Sequence, residues 1–154
     1  MEGKPKKVFM NIRSALVYFF SFILLFVISA CDRDHFDNEL PYAYVEITIN
    51  TNNLQYDDLR IRGFTYISGG LRGIVILRDD FGNLKAFDRA CPFQPENPCG
   101  LIEVAVSRFH MLDPCCNSTF NLQGIPTGGP AINRMREYFT FVDGDFLTIS
   151  SEPF

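Results

Sequence analysis

The side chains in this 154-residue sequence best equipped for chemistry are its cysteines, five in all. Four of them fall in two short stretches, Cys91 and Cys99 in the first, Cys115 and Cys116 in the second. Two thiols can form a disulfide, exchange with another disulfide, or hold a soft metal as thiolates. In an oxidising compartment an even number of clustered cysteines points first to disulfides. Four cysteines allow three pairings. Cys115–Cys116 is the least favourable, because adjacent residues close a strained ring. A bridge joining the two stretches is worth roughly 3 kcal/mol, mainly by restricting the unfolded chain. Zinc is the competing chemistry, although the paired Cys-x-x-Cys knuckles of structural zinc sites are absent. Thiol–disulfide exchange prefers a cysteine at a helix N-terminus, where its pKa falls, and no helix is predicted here. Asp113 stands next to the second pair as a lone carboxylate, a residue more often found as a turn cap than as an acid catalyst. No nucleophile–base pair and no phosphate loop is visible, so nothing marks an enzyme.

The fifth cysteine has a different setting. Lys4, Lys6, Lys7 and Arg13 make a basic start, and Ser14–Ala30 is 17 residues without a charge. A helix of that length rises roughly 25 Å, short of the roughly 30 Å hydrocarbon core, so the segment suits a cleaved secretory signal better than a spanning anchor. It ends in Ile28-Ser29-Ala30-Cys31, which resembles the lipobox of bacterial lipoproteins. That resemblance implies removal of residues 1–30, lipidation of Cys31, and anchoring in a bilayer through two or more acyl chains. The expected place is the cell envelope, on the periplasmic or outer-surface side of a membrane. Residues 31–41 then form an acidic tether that includes His35, with Pro41 at the domain edge. Cleavage takes four basic residues and one acidic residue from a net charge of −4 and leaves −7. Such a chain has no electrostatic claim on nucleic acid.

The elements that must carry the cysteine loops read as strands. Residues 42–154 suit one domain, rich in Phe, Val, Ile and Tyr and without Trp, which favours β-structure. Val45, Ile47 and Ile49 alternate with polar residues, a half-buried strand. Phe64–Ile67 is a short strand, and the continuous apolar run Gly73–Arg78 a central one. Asp79–Asn83 turns the chain back into Leu84–Phe87. The first cysteine loop spans Cys91–Cys99. Leu101–Val106 and Arg108–Leu112 are expected strands, Asp113–Asn117 the second cysteine loop, and Ser118–Leu122 a further strand. Gly124–Pro130 reads as a long turn. Tyr138–Val142 and Asp145–Ile149 flank Asp143-Gly144 in a closing hairpin. No helix with convincing caps is present. Many short strands at regular spacing imply an antiparallel all-β sandwich or small barrel.

Between Gly73 and Ile149 the chain resembles the Rieske iron–sulfur domain. That family's pattern is a strand ending in Cys-Pro-His or Cys-x-His, then Cys-Pro-x-His-Gly-Ser-x-Phe, a Gly-Pro-Ala turn and a hairpin around Asp-Gly. Here the counterparts are Ala90-Cys91-Pro92-Phe93, then Asp113-Pro114-Cys115-Cys116-Asn117-Ser118-Thr119-Phe120, Gly129-Pro130-Ala131 and Asp143-Gly144. A Rieske cluster takes two thiolates on one iron and two imidazoles on the other. Carried onto this sequence, the four ligand positions are Cys91, Phe93, Asp113 and Cys116: one retained cysteine, one thiol in place of an imidazole, and two other residues. His110 lies three residues before Asp113 on an expected strand, and reads as a partly exposed strand histidine. The resemblance also implies a Cys99–Cys115 disulfide, because respiratory members of the family join their two loops at the matching positions. Cys91 and Cys116 would then face each other, as a second bridge, a free dithiol or two ligands to a metal.

Three functions follow. The first is a Rieske-like lipoprotein that has lost its [2Fe-2S] cluster, binds no cofactor, and has a structural or binding role. The second is a periplasmic electron carrier holding [2Fe-2S] through Cys91, Asp113 and Cys116. The third is a thiol–disulfide redox protein using Cys91 and Cys116. No motif specifies a protein partner. Exposed aromatics are a hint of one, with Phe81, Phe93 and Phe109 the candidates. Phe93 is expected to fill the space a cluster would take.

Overall fold

The computed structural model describes residues 40–154. The signal-like segment, Cys31 and residues 31–39 of the tether, His35 among them, lie outside the described residues. Ten strands make two antiparallel sheets. The larger contains β1 (Glu46–Asn50), β2 (Phe64–Ile67), β3 (Ile74–Arg78), β4 (Leu84–Asp88), β9 (Glu137–Asp143) and β10 (Phe146–Ser150), in the order β1-β10-β9-β4-β3-β2. The smaller is β5 (Glu103–Val104), β6 (Met111–Leu112), β7 (Thr119–Phe120) and β8 (Pro126–Gly128), in chain order. The large sheet curls, so that its two edge strands approach each other. A Cβ on Gly69, just after β2, would lie 2.8 Å from Ile47 Cδ1 on β1.

Strand β3 shows why its sequence is apolar without alternation. Successive strand side chains point to opposite faces. Val75 and Leu77 join one core with Phe87, Cys91, Ile102, Met111 and Phe120. Ile74 and Ile76 join another with Val45, Ile49, Leu59, Leu147 and Ile149. Both faces of β3 are therefore buried, and both must be apolar. β1 has one buried face, with Ile49 buried, Ile47 half-buried and Glu46 and Thr48 exposed, and the buried Val45 just before the strand continues that face. The first core lies between the large and small sheets, and Cys91 is part of it.

Three expectations from sequence fail. A short helix is present after all: a 3-10 turn (Leu54–Tyr56) runs into α1 (Asp57–Ile61). Asn53 caps the turn by accepting the Gln55 N–H at 3.1 Å. Arg60–Asp57 and Arg62–Asp58 pairs span the helix surface at 2.9 and 3.3 Å. With five residues and only Leu59 buried, α1 has too little amphipathic face to leave a periodic signal. The expected strand Ser118–Leu122 shrinks to β7, and Leu101–Val106 and Arg108–Leu112 shrink to β5 and β6. Between them a turn places Arg108 at φ 63°, and Arg108 N–H donates to Ala105 O. Val106 and Phe109 are exposed there, so apolar composition without a core face does not make strand. Part of the long turn Gly124–Pro130 pairs with β7 as β8, an edge strand whose Pro126 needs no ladder hydrogen. Among the described residues no helix is long and apolar enough to cross a membrane.

Arg136 donates to the carbonyls of Leu40 and Pro41, and Leu40 is buried. The chain is therefore tied to the domain from Leu40 onward.

Candidate functional site

Strand β4 leads directly into the first cysteine loop, and a buried carboxylate fixes the junction. Asp88 is fully buried and accepts from Leu71 N–H at 2.6 Å, Ala90 N–H at 2.8 Å and the Tyr138 hydroxyl at 2.7 Å. Burial and the Asp88 carboxylate push the Tyr138 hydroxyl pKa well above its usual value. The phenol therefore stays a donor. Ala90 bridges to Leu101, which closes the base of the loop. At its tip the Arg72 guanidinium donates to the carbonyls of Asn97 and Pro98. Neither Asp88 nor Arg72 stood out in sequence. Apart from Ala90, their partners lie 17 to 50 residues away, and the only sequence signal is a carboxylate at the end of an apolar strand, three residues before Cys91.

The second loop is held by its own turn and by the glycine turn behind it. Asp113 N–H donates to Ser118 O, and Asn117 N–H to Asp113 O, both at 2.9 Å. Asn117 has φ 58°, the left-handed region. The Rieske pattern has glycine at this place, and asparagine is among the few other residues that accept it readily. Gly129, at φ +82°, packs against this loop so closely that a Cβ would meet Ser118 Cα at 2.5 Å and Asn117 O at 2.6 Å. Ala131 N–H donates to Ser118 Oγ at 3.0 Å.

A disulfide joins Cys99 and Cys115, with Cα atoms 5.6 Å apart, within the usual range. It ties the two loops and leaves Cys91 and Cys116 free. Their sulfurs are 3.6 Å apart. Asp113, 1% exposed, completes the group. Its Oδ1 accepts Cys115 N–H at 2.7 Å and Cys116 N–H at 3.4 Å. Its Oδ2 lies 3.2 Å from Cys116 Sγ, which is also 3.0 Å from Ser118 Oγ. One donor atom from each of Cys91, Asp113 and Cys116 falls within 4.8 Å of the others. Burial acts to raise the Asp113 pKa, but hydrogen bonds from the Cys91 thiol, from Cys115 N–H and from Cys116 outweigh it and hold the carboxyl below the usual range. Burial first, then the Asp113 carboxylate, push the Cys91 thiol up to about 12. At neutral pH the pocket thus holds a carboxylate beside a protonated Cys91.

The remaining sequence candidates are dispersed. Phe93 is half-buried and packs against the core that contains Cys91. His110 sits at the end of the β5–β6 turn, with Nδ1 3.5 Å from Ser107 Oγ, and is not in the donor group. Phe81 and Phe109 are more than four-fifths exposed.

A curled antiparallel sheet and a small second sheet, with two disulfide-linked loops leaving one end, match a known arrangement. The plasma-membrane Rieske protein PetC3 of the cyanobacterium Synechocystis PCC 6803 superposes with a TM-score of 0.54 at 19% identity, over 68% of this chain and 98% of that one. The fold is Rieske-like. A ferredoxin of carbazole 1,9a-dioxygenase from Nocardioides aromaticivorans IC177 also matches, with a TM-score of 0.48 at 18% identity, over 72% of this chain and all of that one. No protein-family model and no curated protein matches the sequence.

A Rieske cluster asks for two thiolates and two imidazoles. The side chains at the corresponding places are Cys91, Asp113, Cys116 and Phe93. They supply three donor atoms and no imidazole, and Phe93 is incapable of ligation. This donor set does not fit a Rieske cluster.

Proposed function

We propose that this protein is an envelope lipoprotein, anchored through lipidated Cys31, whose Rieske-like domain serves a structural or binding role without a [2Fe-2S] cluster. The observation that carries the reading is the donor set, which offers a carboxylate, two thiols and a phenylalanine where a Rieske cluster takes two thiolates and two imidazoles. The solved relative in Synechocystis is a plasma-membrane protein, which is consistent with a membrane-side location. A thiol whose pKa stands near 12 is a weak nucleophile at neutral pH, which counts against disulfide exchange by Cys91.

The test is the visible spectrum, with iron and acid-labile sulfide analysis, of the full chain purified in detergent without chelators. A spectrum free of iron–sulfur absorption supports the reading. Two irons and two sulfides per chain would instead make it an electron carrier with atypical ligands. Anchoring is tested separately, by incorporation of labelled fatty acid. The Cys31→Ala chain should take up none and should not be processed.

A further inference from the structure

We infer that Cys91, Asp113 and Cys116 form a mononuclear binding site for a thiophilic divalent cation of the zinc class, with a fourth coordination position left open. The inference rests on the cluster-free reading above. It goes beyond it by giving the pocket a ligand.

The geometry is that of one ion. Two thiolates on a tetrahedral zinc, each at about 2.3 Å, stand about 3.8 Å apart. The two sulfurs here are 3.6 Å apart. A carboxylate oxygen bound at about 2.0 Å would stand about 3.5 Å from either sulfur. Asp113 Oδ2 is 3.2 Å from Cys116 Sγ. The remaining separation, between the donor atoms of Cys91 and Asp113, is also within 4.8 Å. Two thiolates with one carboxylate, in tetrahedral geometry, favour zinc over the hard cations, which prefer oxygen alone.

The surroundings support the same conclusion. Asp113 is a buried side chain whose carboxyl oxygens accept from Cys115 N–H and Cys116 N–H and lie beside the Cys116 thiol, and among the described residues no cation is paired with it. A buried charge normally has an opposite charge or a metal beside it. The Cys99–Cys115 disulfide ties the loop bearing Asp113 and Cys116 to the loop bearing Cys91, and Gly129 packs against the second loop from behind, so the donors converge before any ion arrives. Cys116 is half-buried, and this gives an ion a way in from solvent. On binding, the two S–H bonds break, two metal–sulfur bonds form, both protons leave to solvent, and no electron moves. Three protein ligands leave one corner for water or another small donor.

The experiment uses the full chain in detergent, stripped of metal by a chelator under mild reductant that spares Cys99–Cys115. Cobalt(II) is the spectroscopic probe, and zinc(II) the competitor. The expected result is one cobalt per chain, with a thiolate-to-cobalt charge-transfer band that zinc displaces. Cys91→Ser and Cys116→Ser should each abolish the band. Asp113→Asn should keep it and weaken binding by about tenfold or more. Circular dichroism of the metal-free variants separates a lost ligand from a lost fold. Should a variant unfold, the wild-type chain still decides, because bound zinc must protect two thiols from alkylation. Failure of cobalt to bind while both thiols react freely overturns the site and leaves the cluster-free reading standing. A Cys91–Cys116 disulfide that re-forms in air and blocks cobalt also overturns it, in favour of a redox pair. Two irons and two sulfides per chain overturn both.

Discussion

Removing the Cys99–Cys115 disulfide should cost this domain about 3 kcal/mol. The two residues are 16 apart in sequence, and cross-linking a loop of that length removes about 10 cal/mol/K of entropy from the unfolded chain, which is about 3 kcal/mol at 25 °C. The side chains themselves contribute little, because Cys99 is exposed and Cys115 half-exposed. Truncating such surface positions usually changes stability by less than about 0.5 kcal/mol. For a domain of the 115 residues described, unfolding entropy at the midpoint is about 0.24 kcal/mol/K, so the loss corresponds to a fall in Tm of about 12 °C. The assay is thermal unfolding by circular dichroism of the Cys99→Ala/Cys115→Ala chain against wild type. Alkylation of Cys91 should also quicken, since that fully buried thiol depends on the two loops staying docked. A Tm shift below about 3 °C would refute the claim that this bridge restrains the unfolded chain.

Three further outcomes follow from named contacts. Tyr138→Phe removes one of the three donors to the buried Asp88 carboxylate and leaves only the two backbone N–H groups, and should destabilise the domain by about 1.5–3 kcal/mol in a urea titration with unchanged m. Gly129→Ala forces a Cβ to 2.5 Å from Ser118 Cα at φ +82°, and should cost more than about 2 kcal/mol, whereas alanine at the open turn position Gly144 should cost about 1. Cys91 gives an alkaline signature. Its pKa is raised to about 12 in the folded state, so above the ordinary cysteine value near 8.5 the unfolded chain loses a proton that the folded chain keeps, and stability falls as pH rises. Once the unfolded thiol is ionised, the slope approaches about 1.4 kcal/mol per pH unit. Metal-free Cys91→Ser, unfolded in urea between pH 8.5 and 10, should lack that part of the slope, and parallel curves for the two proteins would count against it.

Much of the fold was legible because it depends on local pattern. The alternation in β1, the doubly buried run in β3, the turn at Asp79–Asn83 and the Asp143-Gly144 hairpin each have a period or a turn residue that any tertiary context respects. The short helix α1 was not legible, because one buried leucine in five residues carries no period. The turn at Arg108 and the edge strand β8 were missed for a related reason. Val106 and Phe109 look like strand residues, and Pro126 and Gly128 look like turn residues, until the sheet decides which segments find a partner.

The sequence by itself determined which chemistry is present: four thiols in two loops, one carboxylate beside them, and no histidine at the matching ligand positions. It left three cysteine pairings open. Only the tertiary structure decided that Cys99 bonds to Cys115, that Cys91 and Cys116 remain thiols 3.6 Å apart, and that Asp113 is buried against them as an anion. It alone joined Asp88 to Tyr138 and Arg72 to the first loop. The physical reason is that a residue's type sets what bonds it can make, whereas distance, burial and local dielectric are set by strand register and loop docking across 16 to 50 residues of chain.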